Sequence, residues 1–191
     1  LTPILGTIAS STRQGFSSNS YESIQTVTVG SSGASVIEFS SIPNTYAHLE
    51  IRGVGRIATT SASTMNIGVQ FNGNGSNYSW HWVYSTGATP LIVAGAGNDT
   101  TSFVLRLPMD NTQSNTYGPI KMSILDYANT NKNKTMRCIS GAALDGVVDV
   151  VWYTSGAWYN TSAISSIQLS PQSGNFKERT TLALYGIKAA S

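Results

Sequence analysis

From residue 21 onward, apolar and polar side chains alternate with a period of two in short runs separated by clusters of Gly, Asn, Ser and Pro. In the run from Ala47 to Gly53, Ala47, Leu49 and Ile51 fall on one side, and His48, Glu50 and Arg52 fall on the other. This is the pattern of a strand with one buried face. Met65, Ile67, Val69 and Phe71 repeat it, and Tyr78, Trp80, Trp82 and Tyr84 place four aromatic rings on one face of the next run. Apolar positions before and after Gly30-Ser31-Ser32-Gly33 predict a hairpin, and Asn72-Gly73-Asn74-Gly75 predicts a second one between residues 65–71 and 78–84. Further strands are predicted over residues 90–94, 103–107, 120–127, 135–139, 147–153, 164–169 and 181–187. No stretch carries apolar residues at helical spacing for more than a turn or two. Many short strands without helices to cover a parallel sheet predict an all-β domain, an antiparallel two-sheet sandwich of jelly-roll type, with a barrel as the other solution.

The first twenty residues lack this alternation. They combine apolar Ile4, Leu5, Ile8 and Phe16 with Ser, Thr and Gly, a composition that cannot bury itself and suits an extended attachment arm ahead of a single domain over residues 21–191. A first strand of the sandwich is the alternative reading of this segment.

Composition narrows the functional classes. Charged residues form 10% of the chain, against about 25% in an average globular domain, while Ser and Thr together number 48. A net charge of +2, with the basic residues scattered singly, supplies neither the footprint of a nucleic-acid binder nor a polybasic membrane patch. No run of eighteen apolar residues occurs, so a soluble protein is expected. So weak a net charge does little to oppose self-association.

Candidate chemistry is sparse. Two histidines, His48 and His81, lie on polar strand positions, and no G-x-S-x-G elbow accompanies them. Asp99, Asp110, Asp126, Asp145 and Asp149 show no spacing that would set two carboxylates across a cleft, and none stands in a calcium-loop pattern. The lone Cys138 excludes an internal disulfide, and no Cys/His cluster has metal-ligand spacing. No cofactor, metal or catalytic residue is therefore assigned. Five N-x-[ST] triplets, at Asn74, Asn77, Asn98, Asn133 and Asn160, match what so Asn- and Ser-rich a chain gives by chance. The aromatic residues are the most pointed feature. Tyr78, Trp80, Trp82, Tyr84 and Trp158 predict a core or subunit interface, with a sugar-stacking platform as the competing reading.

Several segments in order resemble a known group of proteins: Pro3-Ile4-Leu5-Gly6-Thr7-Ile8, Ser20-Tyr21-Glu22-Ser23-Ile24, Ile42-Pro43-Asn44-Thr45-Tyr46-Ala47-His48-Leu49, Phe71-Asn72-Gly73, Asp126-Tyr127-Ala128-Asn129, Gly156-Ala157-Trp158 and Leu184-Tyr185-Gly186-Ile187. With these, the chain is similar to small structural proteins of tailed bacteriophages, especially marine and cyanobacterial ones. The resemblance implies a non-enzymatic virion component. It would be a decoration (cement) protein bound to the major capsid protein on the head, or a tail-fibre or appendage module that recognises host glycans. The absence of coiled-coil heptads and collagen-like repeats favours the head. By analogy with decoration proteins at local three-fold positions, a homotrimer is expected.

Overall fold

A computed structural model describes residues 20–86, 91–99, 102–143 and 149–189. The chain forms β1 (Tyr21–Thr28), β2 (Ile37–Phe39), β3 (His48–Gly55), β4 (Thr64–Phe71), β5 (Tyr78–Thr86) and β6 (Leu91–Asp99). It continues with β7 (Ser102–Pro108), β8 (Gly118–Leu125), β9 (Lys134–Ala142), β10 (Val150–Trp158), β11 (Ile167–Pro171) and β12 (Thr181–Ile187). Among the described residues there is no helix. Eight strands form one sheet in the order β1-β12-β3-β8-β9-β10-β5-β6, and four form a second in the order β2-β11-β4-β7. The expected antiparallel two-sheet sandwich is the fold.

Its pairings are nested. β1 pairs with β12, β2 with β11, β3 with β8 and β4 with β7, all antiparallel, so the first half of these strands runs back along the second. The remaining strands extend the large sheet beyond β8. β9 pairs with β10, β10 with β5, and β5 with β6, so β9–β10 and β5–β6 are two hairpins laid side by side.

The two hairpins predicted from turn chemistry do not form. β1 and β2 lie in different sheets, as do β4 and β5. After β1, Val29 keeps bonding Thr180 at 2.8 Å and Ala34 bridges Phe176, so the Gly30–Gly33 turn carries the chain across the sandwich. Asn72 and Gly73 do adopt the left-handed conformation expected of a tight turn, with φ of 54° and 63°. The Asn72 carboxamide, however, accepts the Ser165 and Ser166 N–H groups, and the Tyr78 hydroxyl accepts the Phe71 N–H at 2.8 Å. The Asn72 bonds tie the turn to the segment before β11, and the chain passes into the other sheet.

The core lies between the sheets. Leu49, Ile51, Met122, Ile124, Leu182 and Leu184 from the large sheet meet Ile67, Val69, Phe71, Ile167 and Leu169 from the small one, all buried. Each such side chain stabilises the fold by about 1.5–3 kcal/mol before the entropy of ordering is subtracted. Two cations are buried with them. Arg56 donates to the carbonyls of Thr112, Gln113 and Thr116 and to Asp110, pinning the β7–β8 connection. Lys134 donates to the carbonyls of Asn129, Lys132 and Thr161, and burial lowers its pKa.

Candidate functional site

The inner face of the β9–β10 and β5–β6 extension is paved with aromatic rings. Cross-strand register places Tyr78 opposite Trp158, and Tyr84 opposite Trp152. At one end, Tyr78 and Trp158 stack with centroids 6.1 Å apart and Phe71 packs against both. Tyr78 and Trp158 are fully buried there, and burial pushes the Tyr78 phenol up to about 12, so it stays protonated and donates to the Asn74 carbonyl at 3.1 Å. Trp80 is also buried.

Toward the other end the rings are less covered. Trp82 and Tyr84 are half-buried, and both stack on buried Trp152 with centroids 4.7 and 4.8 Å away. The Arg106 guanidinium from β7 sits 4.3 Å over the Trp152 ring and donates to the Asn66 carboxamide oxygen at 2.7 Å. A cation on an aromatic face in a partly desolvated site is held by the ring quadrupole. Burial lowers the Arg106 pKa, but an arginine of this kind stays charged at neutral pH. Two glycines of β6 complete the floor. Gly95 and Gly97 lie opposite Trp82 and Trp80, whose indoles cover them so closely that a Cβ on either glycine would collide with the ring.

The five aromatic residues singled out in the sequence thus share one face but not one environment. Tyr78, Trp80 and Trp158 are core, while Trp82 and Tyr84 line the open end. The expected attachment residues Ile4, Leu5, Ile8 and Phe16 lie outside the described residues.

The opposite face of the large sheet carries a separate feature. Val54, Ile139, Val151, Tyr153 and Ile92 are exposed on its outer side, spread across β3, β9, β10 and β6. A hollow of about 260 Å³ lies on this face, lined by Gly141 and, among others, by Pro119, Ile139 and Val151, and its walls are almost entirely apolar.

No protein-family model, curated protein or solved structure matches the chain.

Titratable groups are dispersed. The Nδ1 atom of His48 accepts the Asp126 N–H at 3.1 Å, and His81 is exposed on the outer face. Asp126 stands beside the start of β3, while Asp110 pairs with Arg56 just past its end, so the strand separates the two carboxylates. Asp145 lies outside the described residues. Burial raises the pKa of the Cys138 thiol and keeps it protonated. Among the described residues no three His, Cys, Asp or Glu side chains cluster as metal ligands. The chemistry on display is stacking, apolar contact and hydrogen bonding. Arg106 was not among the sequence candidates, and no local signal marks it; Trp152 belongs with the aromatic residues read from the sequence and shares its residue parity with Trp158 on one strand.

Proposed function

We propose that the chain is a non-enzymatic structural part of a phage particle, a decoration protein that docks on the capsid and stabilises the head. The observation that carries this reading is the nested strand pairing. Without the two added hairpins, β1-β12-β3-β8 faces β2-β11-β4-β7, which we read as a jelly roll enlarged along one edge. Jelly rolls recur in viral capsid proteins, and the segments quoted above resemble phage structural proteins. The exposed apolar side chains on the outer face of the large sheet and the apolar Ile4, Leu5 and Ile8 of the N-terminal segment supply material for docking.

Jelly rolls also build lectins, and one observation favours a second reading, a glycan-binding tail module: half-exposed Trp82 and Tyr84 beside Arg106 form a platform suited to a sugar ring. Cryo-electron microscopy of the intact particles assembled by the phage that encodes the chain separates the two. Density for the sandwich at many equivalent head positions is expected. Density confined to the tail would replace the first reading with the second, and particles lacking the chain would overturn both.

A further inference from the structure

A sheet edge exposes a row of backbone N–H and C=O groups that can template pairing with another chain, and natural proteins blunt such edges with charges, bulges, shortness or a cover. Three of the four sheet edges here carry one of these devices. β1 is bulged between Ser23 and Gln25, and its Glu22 is tied to Lys188 and to the Tyr46 hydroxyl. β2 is three residues long. β7 leans on the other sheet, its Arg106 N–H donating to the Ser140 hydroxyl at 3.0 Å.

Among the described residues β6 has none of them short of its last residue, the charged Asp99. It runs nine residues, Leu91–Asp99, paired to β5 in unbroken register, and no described strand lies on its other side. From Leu91 to Asn98 it contains no charge and no proline. Its inner glycines, Gly95 and Gly97, are covered by the indoles of Trp82 and Trp80, so the inner face of the strand is packed although its own side chains are small. On the outer side Ala94, Ala96 and Asn98 are exposed, and Ile92 is 74% exposed.

We propose that β6 is an interface for a second copy of this chain, the two β6 strands pairing antiparallel about a two-fold axis to join the large sheets into one. An antiparallel edge presents the same alternation of donors and acceptors when turned about that axis, so it is its own complement. The absence of charge from Leu91 to Asn98 means that self-pairing juxtaposes no like charges along that stretch. On the outer face the register row Val151–Ser85–Ile92 ends at exposed Ile92, beside the edge, so the same pairing carries that face on into the second copy. This interface does not depend on the virion reading: the particle images could fail with the dimer intact, and the reverse.

Sedimentation velocity and amide exchange on the full chain, over a concentration series, test it. The wild type is expected to reach twice the 20.3 kDa chain mass as concentration rises, with exchange over residues 91–99 slowing about tenfold. Ala94→Lys and Ala96→Lys, both at exposed outer positions, are expected to hold the chain at monomer mass while melting as the wild type does at concentrations where it is monomeric. Mixing Ala94→Lys with Ala94→Glu should restore the dimer. A wild type that stays monomeric, including one whose β6 amides are protected at every concentration, would overturn the proposal. So would a trimer, or a dimer that survives both lysine variants.

Discussion

The indole of Trp82 lies across Gly95 on the neighbouring strand, so the glycine and the ring occupy one volume between them. Gly95→Ala must displace the ring or the strand. Overpacking of this kind costs about 1–3 kcal/mol, and the loss is expected in the denaturant midpoint at unchanged m-value. Ala94→Gly, one residue away on the exposed outer side, loses no packing and should cost about 1 kcal/mol or less through backbone entropy. Equal losses at the two positions would show that the ring does not hold the strand.

The aromatic face should divide energetically as it divides in burial. Trp158 is 1% exposed between Phe71 and Tyr78, so Trp158→Ala is expected to cost about 3–5 kcal/mol. Trp82 is half-buried, and Trp82→Ala should cost roughly half as much, since only part of its apolar area leaves water on folding. Urea unfolding of both variants gives the order directly; an equal or larger loss for Trp82 would place it in the core after all.

Alternation made the strands legible, because a half-buried strand must repeat every second residue whatever it pairs with. Pairing was not legible. Gly30–Gly33 and Asn72–Gly75 have the chemistry of hairpin loops, yet the partners of β1, β2 and β4 lie far along the chain, and short-range turn signals are silent about them. Strand ends failed for a related reason. Gly95, Gly97 and Gly156 look like breaks in sequence, but they sit opposite Trp82 and Trp80, so β6 and β10 run on through them. Aromatic cover compensates for glycine in a strand. Glu50, expected on a polar face, is buried because Arg52, Lys121 and Ser123 from two strands close over it. Arg52 is a local partner, but the contacts from Lys121 and Ser123 on β8 have no local signature.

Arg56 is a second example and gives a further test. It is 1% exposed and satisfies three carbonyls of the β7–β8 connection together with Asp110. Arg56→Met keeps the length of the side chain but leaves those acceptors without their donor. A loss of about 3–5 kcal/mol is expected, as for breaking a buried ion pair, with faster amide exchange over residues 110–117. A variant with normal stability and unchanged exchange would mean that the connection holds itself.

The acid limb of stability should carry the signature of Asp110. The Lys177 ammonium, and after it the Arg56 guanidinium, hydrogen-bond this carboxylate and hold its pKa below the ordinary value, outweighing the opposite effect of burial. A carboxyl whose pKa is lower in the folded state binds fewer protons there than in the unfolded chain near the unfolded pKa of about 3.9. Its contribution is therefore fully present above that value and is lost as pH falls through the folded pKa. Asp126 is also lowered, chiefly by Lys132, and acts in the same direction from an exposed position. Melting temperature is thus expected to hold between neutral pH and about pH 5 and to fall below about pH 4. Asp110→Asn should lower the plateau and flatten that fall, whereas Asp126→Asn should change the plateau less, because an exposed pair is screened by water and salt. If Asp110→Asn instead left both the plateau and the slope of the acid limb as in the wild type, the Asp110, Lys177 and Arg56 contact would contribute nothing to the stability of the fold.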